Sequence, residues 1–174
     1  MNPSRITGII LTALAGVIIT AILIFQRTNQ PSIALIEEWI ATQVADGDSI
    51  TVHQTDGSQM SVELCGIDAP KVKQGEVSAQ ALSNQVKDKL LKLVAAADNQ
   101  LMSVPVEKDN QGRTFAEVMA YGKGETDISF QKELLKDGLA KMRKSEVECP
   151  NHLAFEQAAD IAKASKVGVW SQSN

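Results

Sequence analysis

Residues 46–70 read DGDSITVHQTDGSQMSVELCGIDAP. Asp46-Gly47 and Asp56-Gly57 are turn signals, and the segments between and after them alternate apolar with polar residues, the signature of hairpin strands with one buried face. Ser49 to His53 places Ile50 and Val52 on one side. Met60 to Ile67 sets Met60, Val62 and Leu64 against Ser61, Glu63 and Cys65, so one of these two faces is buried. Upstream, Trp39 to Val44 is a further strand leading into the first turn. Downstream the period changes. From Gly75 to Ala97, the residues Ala79, Leu82, Val86, Leu90, Leu93 and Ala97 recur every three or four positions, which predicts an amphipathic helix. Leu101 to Val106 and Thr114 to Tyr121 read as two more strands. Phe130 to Lys136 reads as a short helix closed by Gly138 at a left-handed C′ position. Asn151 can cap a last helix that runs to Ala164 and turns Phe155, Ala158 and Ala162 inward. Five strands, three helices and short connections predict an α+β domain: a small barrel with helices packed around it.

Composition narrows the function. The 174 residues suffice for one domain with a real core. Lys and Arg number 17 against 21 Asp and Glu, a net charge of −4, which excludes a protein that coats nucleic acid by charge alone. Two cysteines exclude a four-cysteine zinc site and a disulfide-dense miniprotein. His53 and His152 have no cysteine or histidine at metal-ligand spacing and read as structural.

The charge is unevenly placed. Ile6 to Phe25 is a run of 20 residues without a charge, flanked by Arg5 and Arg27. As a helix it spans about 30 Å, the thickness of a bilayer core. Residues 1–27 therefore read as a transmembrane anchor, or an uncleaved signal, and 28–37 as a linker rich in Asn, Gln, Pro and Ser. Ala13-Leu14-Ala15 lies inside the run rather than after it, which favours an anchor over a cleaved leader. Gly8, Thr12, Gly16 and Thr20 form a stripe of small residues that could pack on another helix. The basic residues are almost evenly split across the run, so the orientation rests on the short N-terminal flank, which favours an extracytoplasmic domain. Residues 38–174 form that domain, and with Arg5 and Arg27 set aside the body carries 15 basic and 21 acidic residues.

Five blocks follow in order: Asp46-Gly47-Asp48-Ser49, Val62 through Pro70, Asp109-Asn110-Gln111-Gly112-Arg113, Gly138-Leu139-Ala140-Lys141, and Gly168-Val169-Trp170-Ser171. In this order and at these distances the chain resembles the staphylococcal nuclease (thermonuclease) family over about residues 38–172. The resemblance implies a five-stranded OB-type barrel with three helices. It also implies Ca2+-dependent hydrolysis of nucleic acid phosphodiesters.

That chemistry needs a hard cation on oxygen ligands, cations on the phosphoryl oxygens, and a carboxylate near the attacking water. By resemblance, Asp48 and Asp68 are the carboxylate ligands and the Ala69 carbonyl is the backbone ligand. Arg113 matches a phosphate-binding arginine. The other catalytic positions carry reversed charges. Glu63 stands where a second phosphate-binding arginine is implied, and Lys71 stands where the water-activating glutamate is implied. Loss of one preorganised cation costs about 10²–10³ in rate, and loss of a general base about 10²–10⁴. The stacking tyrosines are also missing: Gln111 precedes Gly112, Met142 to Cys149 holds no tyrosine, and Tyr121 is the only one in the chain. Each lost base stack weakens nucleotide binding by about 1–3 kcal/mol. Either Glu63 and Lys71 are a swapped pair, with Glu63 or Glu76 handling the proton, or both positions have drifted.

Within the resemblance, the loop with Cys149 runs beside the site, so a Cys65–Cys149 disulfide would tie it to the barrel. The alternative is two buried thiols in a domain facing a reducing compartment. Three functions remain: an anchored hydrolase with an altered site, a catalytically inactive binding module of the same fold, and a membrane partner acting through the small-residue stripe.

Overall fold

The structure is a computed structural model that describes residues 35–71, 77–122, 127–144 and 148–171. The apolar run Ile6–Phe25, most of the linker, and Glu76 lie outside the described residues. Strands β1 (Glu37–Val44), β2 (Ser49–His53), β3 (Gln59–Leu64) and the two-residue β4 (Ile67–Asp68) precede helix α1 (Val77–Ala96). Strands β5 (Gln100–Lys108), β6 (Thr114–Ala120) and β7 (Ile128–Ser129) precede α2 (Phe130–Lys136). Strand β8 (Lys141–Met142), α3 (His152–Ala164) and a 3-10 turn at Gly168–Trp170 complete the order.

Antiparallel pairing runs β3-β2-β1-β5-β6-β7, and β3 also pairs in parallel with β6. That last contact closes five strands into a barrel, which removes the free edges of the sheet. The inward residues are those that the alternation marks: Ile50, Val52, Val62 and Leu64 are fully buried, together with Ala116 and Val118 of β6. Val86 and Leu90 of α1, Leu134 and Leu135 of α2, and Phe155 of α3 close the ends and flank of the same core. Gly138 has a φ of +66° just past α2, as the C′ position requires.

Three features differ from the sequence expectation. Glu63 and Cys65, opposite the core face of β3, are also buried. The strand end lies beneath β6 and the Cys149 segment, so both of its faces are covered. The strand expected from Met60 to Ile67 breaks at Cys65-Gly66, and β4 continues after the break to pair with β8, Ile67 opposite Met142 and Asp68 opposite Lys141. Asn151 precedes α3 without a side-chain capping bond. Its backbone N–H and its amide instead donate to Glu117, at 3.1 and 2.6 Å, because that fully buried carboxylate needs donors. The two-residue strands β7 and β8 are too short to show an alternation.

Cys65 and Cys149 are joined in a disulfide with their Cα atoms 6.1 Å apart, closing a loop of 84 residues. It fixes the segment before α3 to the end of β3. The Cβ of any larger residue at Gly66 would stand 2.8 Å from the Cys149 sulfur, so the bridge packs directly on this glycine. Cross-links of this loop size stabilise by about 2–5 kcal/mol. Melting of the oxidised protein against the Cys65→Ser/Cys149→Ser variant should show a loss in that range. Equal midpoints would show that the bridge constrains nothing.

Candidate functional site

The site starts from the β1–β2 turn. Asp46-Gly47-Asp48 turns the chain back, and Asp46 Oδ1 accepts from the Asp48 N–H at 3.3 Å. Gly47 is needed for a close approach: a Cβ there would meet Val86 of α1 at 2.7 Å and Ala69 at 3.2 Å. Lys87 of the same helix donates to the Ala45 carbonyl at 3.0 Å and holds the turn against α1. The Asp48 carboxylate is thereby buried, 1% exposed, next to the end of β4. The Ala69 N–H donates to its Oδ2 at 3.4 Å.

The neighbours of Asp48 are supplied by three other segments. Its carbonyl accepts from the Leu64 N–H at 2.8 Å, and Ser49 pairs with Glu63 across β2–β3. Glu63 therefore lies beside Asp48. The β3–β6 closure sets Glu63 opposite Phe115, two residues after Arg113. The guanidinium of Arg113 reaches back to Glu63, with Nη1 2.7 Å from Oε2. Its Nε and Nη2 both lie 2.7 Å from Asp109 Oδ2. Asp109 also accepts from the backbone N–H of Gln111 and Arg113, each at 2.9 Å. Although partial burial acts the other way, these bonds from Arg113 hold Asp109 below the usual carboxylate range. The hydrogen bond with Asp109, followed by the charge of Glu63, raises Arg113 further above its ordinary value.

One residue here was not singled out from the sequence. Arg143, directly after β8, places Nη2 2.8 Å from Glu63 Oε1 and 3.8 Å from Asp48 Oδ2. Its backbone N–H donates to Gly66 O at 2.9 Å, so the β4–β8 pairing carries it to the site. The signal was present in the basic run Lys141-Met142-Arg143-Lys144, but two residues of strand gave no period to place it. Arg143 also lines a cleft of about 310 Å³ with Met142, Lys144, Glu148, His152 and Glu156.

The positions singled out from the sequence separate into groups. Asp48, Glu63, Ala69 and Arg113 come together. Lys71 joins them loosely, its Nζ 3.8 Å from Asp48 Oδ1 and its side chain 56% exposed. Asp68 is exposed at the mouth, opposite Lys141 in register. Tyr121 takes no part: its hydroxyl donates to Glu38 at 3.1 Å. His152 forms an ion pair at 3.3 Å with Glu156, one turn along α3, when protonated. Glu63 is 5% exposed and each of its oxygens is held by a guanidinium, which favours its ionised form and makes it a poor base toward water.

The family model described as "Staphylococcal nuclease homologue" matches residues 61–172. The chain belongs to the staphylococcal nuclease family. A thermonuclease of Staphylococcus hyicus is 30% identical over 129 residues, covering 74% of this chain and 73% of the relative. A thermonuclease of Staphylococcus intermedius is 28% identical over an alignment of 180 residues, covering 95% and 97%. The five sequence blocks and the closed barrel with three helices agree with that membership. Against the site that the resemblance implies, Asp48 and Arg113 carry the implied charges and Glu63 and Lys71 the opposite ones.

A hard cation can be tested against the residues present. Asp48 Oδ1 is buried and has no hydrogen-bond partner among the described residues, with the Lys71 ammonium 3.8 Å away. The groups around the Asp48 carboxylate are the Asp46 carboxylate, the Ala69 N–H at 3.4 Å, and the cationic ends of Lys71 and Arg143, each at 3.8 Å. Among the described residues, no group of three or more His, Cys, Asp and Glu is placed to hold a metal ion. A hard cation here would rest on Asp48 and would have to displace Lys71 from it.

Burial, then the Asp46 carboxylate, pushes the Asp48 pKa up to about 6, against the pull of Lys71. A carboxyl raised in this way favours the folded state in its neutral form. The associated stability is complete below about pH 3.8 and is lost as the pH rises through 6. Ionised Asp48 thus destabilises the metal-free fold by about 2–3 kcal/mol at pH 8. In chelator, Asp48→Asn should melt higher than the parent at pH 8 and no higher at pH 4. Equal gains at both pH values would contradict the assignment.

Proposed function

We propose that the chain is a membrane-anchored nuclease of the staphylococcal type. Its extracytoplasmic domain would hydrolyse nucleic acid phosphodiesters slowly, with calcium. The observation that carries this reading is the buried Asp48 carboxylate, one oxygen without a hydrogen bond, at a mouth that also holds Arg113 in a member of this family. Asp48 and Asp68 would hold the ion with the Ala69 carbonyl. Bound there, calcium would polarise the phosphoryl group and lower the pKa of a coordinated water. Arg113 would orient a phosphoryl oxygen, since its guanidinium is held in one plane by Asp109. Lys71 is the weak point. An ammonium cannot serve as a base at neutral pH without strong desolvation, and this one is more than half exposed. It also competes with a cation for Asp48. A rate reduced by about 10²–10⁴ is the expected consequence of the missing base.

The anchor is supported by the uncharged run Ile6–Phe25, and no helix among the described residues is long and apolar enough to cross a membrane. The Cys65–Cys149 disulfide supports an oxidising, extracytoplasmic location. External protease added to spheroplasts should digest the domain if it is exported, and leave it intact if it is not.

A second reading has its own observation. Glu63 is bound to both arginines and Lys71 leans on Asp48, as expected if the fold serves as a catalytically inactive binding module. One assay decides between the two. The full chain in detergent is incubated with a fluorescent single-stranded DNA across a calcium titration, beside Asp48→Ala. Slow calcium-dependent cleavage that Asp48→Ala abolishes is the expected result. No cleavage and no calorimetric calcium binding in either protein would exclude the enzyme.

A further inference from the structure

Two guanidinium groups converge on one buried carboxylate. Arg113 and Arg143 come from segments 30 residues apart in the chain, yet their nitrogens meet opposite oxygens of Glu63 at 2.7 and 2.8 Å. Both lie near the Phe115 ring, their central carbons 5.9 and 5.5 Å from its centroid. Phe115 faces Glu63 across the strand pair that closes the barrel. The layers are ordered by depth. The side chain of Glu63 is 6% exposed, that of Arg143 26% and that of Arg113 41%. The anion is thus at the bottom, and the two cations lie above it, toward solvent.

This geometry is one that a phosphate takes. Two oxygens of one anionic group each meet a guanidinium, and the planar forks are already set by other contacts. Asp109 fixes one edge of Arg113, and the Gly66 carbonyl fixes the backbone of Arg143. Arg143 also borders a cleft whose lining is of mixed charge, Lys144 and His152 beside Glu148 and Glu156. A carboxylate and a phosphodiester each carry one negative charge, so they compete for the same pair of cations.

We propose that Arg143 supplies the second phosphate-binding cation that position 63 lacks, and that Glu63 is the built-in occupant of the resulting two-arginine seat. The seat takes a phosphate group once that carboxylate no longer neutralises it. The inference rests on the reading of this mouth as a nucleic acid phosphate site, but it requires neither calcium nor catalysis.

The test is calorimetric titration of the full chain in detergent and chelator with inorganic phosphate. Glu63→Gln keeps the size and an acceptor oxygen but removes the charge. Hydrogen bonds to charged groups are worth enough that Glu63→Gln should bind phosphate at least about tenfold more tightly than the parent. Adding Arg143→Ala to Glu63→Gln should abolish that gain, and so should adding Arg113→Ala. Circular dichroism melts establish that each variant is folded, and Glu63→Ala serves in place of Glu63→Gln if the latter unfolds. Folded Glu63 variants with unchanged phosphate affinity would overturn the proposal, as would a gain that survives Arg143→Ala. Because calcium is absent, these outcomes are independent of the cleavage assay: the seat can be present in a protein that cuts nothing, and cleavage can occur without the seat.

Discussion

The contact on which the site depends is the parallel pairing of β3 with β6. It closes the barrel and sets Glu63 opposite Phe115. A carboxylate at that position is 5% exposed, and a buried carboxylate without partners costs several kcal/mol. The fold answers with two arginines from different segments. Arg113 is delivered by the turn before β6, and Arg143 by the short β4–β8 ladder. The disulfide joins Cys65, two residues beyond Glu63, to Cys149 just before α3. Barrel closure, the charge cluster and the cross-link therefore form one mechanical unit. Disturbing any part should be felt at the mouth that holds Asp48.

Much of this was legible in the residues. The alternation in Ser49–His53 and around Val62 and Leu64 assigns the buried strand faces, because a strand with one wet face must alternate. The three-to-four spacing of Leu82, Val86, Leu90 and Leu93 assigns α1 for the corresponding helical reason. The five sequence blocks placed Asp48, Ala69 and Arg113 in one site, and the structure brings those three together. Arg143 was not legible. It follows a strand of two residues whose pairing is set by tertiary contact rather than by pattern, and local sequence carries no record of which strand β8 meets. The burial of Glu63 was hidden for a related reason. Alternation predicts one buried face per strand, whereas the end of β3 is covered on both, by the barrel core and by the arginine-bearing segments.

Efficient phosphoryl chemistry depends on charges that are preorganised toward the reacting group and not already satisfied by the protein. Here the opposite holds for most of the mouth. Glu63 takes a donor from each arginine, Asp109 takes two from Arg113, and Lys71 leans toward Asp48. A substrate must displace internal partners before it meets its own, so part of its binding energy is consumed in breaking these pairs. The least satisfied groups are Asp48 Oδ1, buried and without a hydrogen bond, and Asp68, exposed at the rim. The two reversals, Glu63 and Lys71, act in one direction: each brings to the site the charge that competes with the ligand expected there. A fold can keep a closed barrel, a buried aspartate and two arginines at its mouth while those groups are held by one another rather than left free for a ligand.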